Sequence, residues 1–146
     1  MEDLRTQRPL GYWLKHIDGA IEAAMARLLA ADDLTRRDWQ VLNTLSYEPI
    51  TPSRIDETLA PFLSPTEPST RPHVDALVRR GWARPGPADT IRLTDQGHAA
   101  HHRIAEQVTA LRARVTESLS PEEYGTLIAL LRRVADHLDA AEPRTG

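Results

Sequence analysis

Apolar residues return at spacings of three and four along most of this chain, and each such run predicts one amphipathic helix. The first carries Leu10, Leu14, Ile17, Ile21, Met25 and Leu28 on one stripe from Leu10 to about Ala31, with Pro9 at a tolerant start and Asp32-Asp33 at its end. Thr35 with Asp38 reads as a capping box opening a second helix to about Tyr47, which turns Trp39, Leu42 and Leu45 inward with Val41 beside them and is stopped by Pro49. Thr51 or Ser53 then caps a short helix that carries Ile55, Leu59 and Phe62, and SPTEPS follows as a loop. A third helix within this stretch, STRPHVDALVRRGW, buries Val74, Leu77 and Val78 and ends at Gly81. WARPGPADTIRLT changes period and predicts two short strands around a Gly/Pro turn, with Trp82 tucked beneath.

Two long helices close the chain. Thr94 caps the first, whose stripe is Ile104, Val108, Leu111, Val115 and Leu119. At about 25 residues, near 37 Å, it outruns what a compact domain of this size covers alone. Ser120, Pro121 and Glu123 give the clearest helix start in the sequence, and Leu127, Leu130, Leu131, Val134 and Leu138 give that last helix, to about Ala141, a wide apolar face; the tail EPRTG reads as frayed. The fold class expected is mainly α with a small β-hairpin wing.

Helix, helix, helix, hairpin is the order of a winged helix-turn-helix, in which the last helix enters a DNA major groove and the hairpin lies alongside. The organisation predicted is a single domain over 1–146, with a DNA-binding module at 35–95 and a helical dimerisation region at 9–34 and 96–141. Amphipathic helices at both ends of a compact module predict a two-fold homodimer; a monomeric bundle in which the end helices cover one another is the alternative.

Composition narrows the classes. The chain has 146 residues, 40% hydrophobic and 27% charged, with no cysteine. Disulfide and thiol chemistry are therefore absent. No apolar run approaches the roughly 20 residues of a membrane span, and MEDLRTQRPL lacks the character of a secretory signal, so a soluble, cytoplasmic protein without membrane attachment is expected. The net charge of −3 hides a local concentration of arginine between Arg36 and Arg92. No nucleotide-binding glycine loop, metal-hydrolase signature or nucleophile elbow occurs, which argues against an enzyme and leaves no cofactor to expect.

LTRRDWQVLNTL, DALVRRGWARP, IRLTDQGHA and LSPEEYGTLIALLRRVADHL, in that order, resemble the MarR family of bacterial regulators over nearly the whole chain. The resemblance implies a homodimer that binds palindromic double-stranded promoter DNA, as repressors of this kind do. It also implies release when a small, often phenolic, ligand enters between the helical ends and the DNA module.

The expected DNA contacts are Arg36, Arg54, Ser69, Thr70, Arg71, His73, Arg79, Arg84 and Arg92, with Arg54 and either Arg36 or Arg37 gripping phosphates. Departures from the family pattern are local. Pro72 and Ala76 stand where polar or basic residues are usual, and neither makes the bidentate bonds that discriminate bases. The Leu59 to Val74 connection is about four residues longer than the family's, and the tip GPAD lacks the family's Asp-x-Arg element. These departures support an alternative, a relative that keeps the dimer and binds a ligand or partner without strong sequence reading.

Tyr12, Trp13, His16, Trp39 and Asn43 are the expected lining of a crevice for a small aromatic effector, beside His98, His101 and His102; packing of the tryptophans in the core is the competing reading. The histidine spacing suits a transition metal, but with no cysteine and no neighbouring acidic ligand no metal site is expected.

Overall fold

The computed structural model describes residues 7–141. Their helices and strands form two compact units, one up to Thr109 and one from Ala110 onward. The tail EPRTG lies outside the described residues.

In the first unit, α1 (Leu10–Ala30) follows Pro9 and buries only Met25 and Leu29. The inward position near its end is therefore Leu29 rather than the expected Leu28, because the helix docks only through its last turns. Asp33, with φ of 56°, reverses the chain. Arg80 holds this corner: its guanidinium donates to the Asp32 carbonyl at 2.6 Å and lies 4.1 Å over the Trp82 ring. Arg103 adds a two-pronged pair to the Asp32 carboxylate at 2.9 and 3.0 Å. Those bonds outweigh burial and hold the Asp32 carboxyl below its ordinary value.

The second helix, α2 (Arg36–Leu45), opens on a complete capping box: Thr35 N–H donates to Asp38 Oδ2 at 2.9 Å, and Asp38 N–H to Thr35 Oγ1 at 3.1 Å. Its Trp39, Val41, Leu42 and Leu45 are buried. Next, α3 (Pro52–Thr58) is capped by Thr51 and buries Ile55. It stops before Phe62, which stands in a separate 3₁₀ turn at Ala60–Phe62 and is 53% exposed. Phe62 was expected on the same helix as Ile55; Pro61 lacks the N–H needed to continue α3, so the chain turns first. After that turn, α4 (Arg71–Arg79) buries Val74 and Leu77 and leaves Val78 half-buried. Gly81, at φ +79°, ends it in the left-handed conformation that glycine adopts without strain.

Strands β1 (Ala83–Pro85) and β2 (Ile91–Leu93) pair antiparallel, Arg84 opposite Arg92. Ile50 adds a bridge to Ile91, tying the α2–α3 loop to the hairpin. The turn between the strands is a short 3₁₀ segment, Pro87–Asp89, in which Ala88 and Asp89 have positive φ. Trp82 is buried, as its place before the hairpin predicts. Then α5 (Asp95–Val115) begins, with Gly97 N–H donating to Thr94 Oγ1 at 3.0 Å, and it buries Ala100, Ile104 and Val108.

The second unit holds the end of α5 and α6 (Pro121–Ala141). The predicted cap is present: Ser120 N–H donates to Glu123 Oε1 at 2.9 Å and Glu123 N–H to Ser120 Oγ at 3.1 Å. None of the residues of α6 is buried, and Leu127, Leu130, Val134 and Leu138 are all exposed. Among the described residues no helix is long and apolar enough to cross a membrane.

Candidate nucleic-acid interface

The outward side of α4 presents Arg71, Pro72 and Arg79, with Ala76 half-exposed between them. Arg71 pairs with Asp75 one turn on at 3.3 Å, an exposed pair that water screens and that a phosphate can displace. Arg54 stands exposed on α3. On the hairpin, the alternation of strand side chains buries Ala83, Ile91 and Leu93 and sends Arg84 and Arg92 to the open face. Like charges directly opposite each other destabilise a strand pair. The arrangement therefore favours an anion, and the two arginines line a cavity of about 420 Å³ with Thr94, Asp95 and Gln96 at the start of α5.

Three of the expected contacts, Ser69, Thr70 and His73, are engaged within the protein, and Arg36 has an exposed partner. Thr70 is 0% exposed: its N–H and its hydroxyl both donate to Asp56 Oδ1, at 2.8 and 2.5 Å. It fastens the start of α4 to α3 and cannot reach DNA. Ser69 donates to Asp56 Oδ2 at 2.9 Å and accepts from Arg71 N–H at 3.0 Å, so its hydroxyl caps α4. Burial raises the Asp56 carboxyl, but the bonds from Thr70 and Ser69 more than offset it and the net shift is downward. Arg36 faces Glu22 of α1 at 3.5 Å.

His73 turns inward, contrary to expectation. Its Nδ1 lies 2.6 Å from Asp38 Oδ1, its Nε2 bonds to Glu67, and its side chain is largely covered. Two carboxylates therefore flank one imidazole. Burial works against the charged ring, yet the bonds and charges of Glu67 and Asp38 prevail and raise its pKa above the ordinary 6.5.

The residues expected to line one crevice fall into two groups. Tyr12, Trp13 and His16 pack on one another along α1, with Tyr12 and His16 stacked at 5.9 Å and Trp13 49% exposed. Trp39 is 5% exposed and stacks on His101 at 5.4 Å, while His101 Nε2 donates to Asn43 Oδ1 at 3.0 Å. No ring contact joins the two groups among the described residues. The cause is the docking of α1, which buries residues only from Met25 onward and leaves Trp13 several turns away. Burial, with the nearby charges of His98 and His102, lowers the His101 pKa and so disfavours the charged ring. His102 faces Glu106 at 3.2 Å, and no cluster of three potential metal ligands occurs among the described residues.

Sequence reasoning passed over a cavity of about 550 Å³ bordered by α1, the start of α2 and the Phe62–His73 connection, with Glu22, Arg37, Glu67 and His73 on its walls. Arg37 crosses it, donating to Gln40 at 2.6 Å and to the Phe62 carbonyl. Asp38 carried a sequence signal as a helix cap; nothing local indicated its second partner, 35 residues away.

No protein-family model matches the chain. Over 135 residues it is 29% identical to the HTH-type transcriptional regulator PecS of Dickeya dadantii (strain 3937), spanning 86% of this chain and 79% of that one. Among solved structures it is similar to the reduced form of MarR from E. coli, with a TM-score of 0.68 and 26% identity over 91% of this chain and 98% of the other. A mutant MarR from E. coli complexed with operator DNA gives a TM-score of 0.65 and 25% identity, over 91% and 99%.

Proposed function

This chain belongs to the MarR family of winged helix-turn-helix transcription regulators, and from that premise we propose that it binds palindromic promoter DNA as a homodimer and represses the genes beside it. It acts as a regulator and not as an enzyme. The observation that carries the DNA reading is the arginine pair Arg84 and Arg92, held opposite each other on the open face of the wing and in no ion pair among the described residues. Arg71 and Arg79 on α4 and Arg54 on α3 supply further positive charge. One helical relative is seen with operator DNA, which supports the same use here. A promoter-binding protein works where the chromosome is, so the expected location is the cytoplasm.

The dimer reading rests on apolar surface that each unit leaves uncovered. On α1 that surface is Leu10, Trp13, Leu14 and Ile17; on α6 it is Leu127, Leu130, Val134 and Leu138. Such residues on solvated helices are the mark of an interface, and a second copy of this chain is the occupant that two half-sites of a palindrome call for. For a small aromatic effector, the accessible rings are Tyr12, Trp13 and His16, whereas the Trp39–His101 stack already fills its own space.

Pro72 and Ala76 favour a second reading, a dimer that binds a ligand or partner without strong base discrimination, because neither side chain offers hydrogen bonds to base edges. Fluorescence anisotropy separates the two. A duplex from the promoter beside its own gene should bind at least about tenfold tighter than a scrambled duplex at about 150 mM salt. Equal affinities would remove the repressor reading and leave the second. Tryptophan fluorescence titrated with salicylate-like compounds tests the effector, and no response at about millimolar levels would remove it.

A further inference from the structure

The inner side of α4 carries a charged device that the DNA reading does not use. His73 sits one turn before Leu77 on that side, and its ring nitrogens reach two different carboxylates. Nδ1 meets Asp38 of α2 at 2.6 Å, and Nε2 meets Glu67 of the connection before α4. An ionised carboxylate only accepts hydrogen bonds, so both contacts need a donor from the ring. A neutral imidazole has one N–H; an imidazolium has two. The geometry is therefore that of the charged ring, and loss of one proton leaves a carboxylate facing a nitrogen lone pair.

Both carboxylates are themselves held. Asp38 Oδ2 accepts from the Thr35 N–H in the cap of α2, so the oxygen that meets His73 is fixed by the helix start. Glu67 is in the turn it closes with Ser64, and Arg37 Nε stands 3.9 Å from its carboxylate. The remaining charged groups around the shared cavity are Asp18 and Glu22 from α1 and Arg36 from α2. Arg36 is engaged with Glu22, and Arg37 with the Phe62 carbonyl as well as Gln40, which leaves Asp38 and Glu67 as the partners of the ring.

We propose that His73 is the positioning residue of the reading helix: its doubly bonded, charged ring ties α4 to α2 and to the connection before it, and loss of one proton frees α4 from the pose that presents Arg71 and Arg79 to DNA. The inference rests on the reading that α4 enters the major groove. The sign follows from the geometry. A ring whose charged form is favoured in the folded state stabilises it fully below the unfolded value near 6.5, and that contribution is lost as pH rises through the higher folded value. DNA affinity should therefore be greatest on the acid side and weaken toward alkaline pH. By reciprocity, a duplex that selects the tied pose makes the His73 proton harder to remove.

The test uses the full chain, a promoter duplex and a scrambled duplex, with anisotropy measured from about pH 6 to about pH 8.5. The wild type should lose about fivefold or more in promoter affinity across that range, and His73→Gln should give a nearly flat profile. Glu67→Gln, at a half-exposed position, is the second variant should His73→Gln fold poorly; it needs no second ring proton and should also be flat. Other histidines and the general charge of the protein titrate in every variant, so a His73→Gln or Glu67→Gln profile as steep as the wild type's overturns the proposal. If no variant prefers the promoter at any pH, the reading of α4 fails separately. The proposal is then decided in the free protein by NMR titration of His73 and amide exchange along α4. Protection of α4 that falls as His73 deprotonates, in the wild type only, supports it; protection indifferent to that proton overturns it.

Discussion

Gly97 approaches Trp82 so closely that a Cβ at position 97 would stand 1.9 Å from the Trp82 carbonyl oxygen. The same few residues close a ring of bonds: Thr94 N–H donates to that carbonyl at 3.0 Å, and the Thr94 hydroxyl donates to the Gly81 carbonyl at 2.6 Å. This is how α5 is seated on the end of α4 and the root of the wing. Gly97→Ala forces a methyl group against the Trp82 backbone and should cost about 3 kcal/mol or more, read as a lowered urea midpoint with an unchanged slope. A stability within about 0.5 kcal/mol of wild type would show that the seat is not tight.

Asp56 ties α3 to the start of α4 through three bonds from Ser69 and Thr70. Asp56→Ala leaves the buried Thr70 donors without an acceptor and should destabilise by about 2 kcal/mol at neutral pH in a denaturant titration. Its carboxyl pKa is lowered in the folded protein, so the stabilisation is present above the unfolded value and fades as pH falls through the folded one. The gap between wild type and variant should therefore narrow below about pH 4. A gap independent of pH would contradict the carboxylate's role.

His101 titrates in the sense opposite to His73. Its folded pKa is lowered, chiefly by burial, so stability is full above the unfolded value near 6.5 and is lost as pH falls from there toward the folded value. His101→Gln removes that acid-side loss. Thermal melts between about pH 7 and pH 5 should show a smaller decline in Tm for the variant. Parallel declines would place the acid sensitivity elsewhere.

The helices were legible in the sequence wherever their determinants are local. The Ser120–Glu123 and Thr35–Asp38 boxes involve residues three apart, and both form with the bonds that their spacing predicts. The family resemblance located the wing and α4 in the same way. What failed depended on distant contacts. Thr70 and His73 lie near the N-terminal end of α4, and helical spacing alone leaves open whether such a residue faces solvent or a neighbour; Asp56, Asp38 and Glu67 decide it, and none is marked in the local pattern. Trp13 and Trp39 read as one aromatic site because they stand on consecutive helices, but only the last turns of α1 are buried.

The two sets of arginines should behave differently on DNA. Arg84→Ala with Arg92→Ala should weaken promoter and scrambled duplexes alike and lower the salt slope by about one per arginine. Arg71→Ala with Arg79→Ala should weaken the promoter more than the scrambled duplex, compressing their ratio. A uniform loss from the second pair would mean that it touches only phosphates.

Exposed leucines along α6 predict self-association. Size-exclusion chromatography with light scattering should give a dimer at about micromolar concentration, and Leu130→Glu should shift it toward monomer. A wild-type monomer would contradict the homodimer.

The central claim is sequence-selective DNA binding, and anisotropy with a duplex from the promoter beside its own gene against a scrambled duplex, at about 150 mM salt, tests it most directly. The account predicts affinity for the promoter in the nanomolar range and at least about tenfold weaker binding to the scrambled sequence. Equal, weak binding to both, erased by added salt, would contradict it.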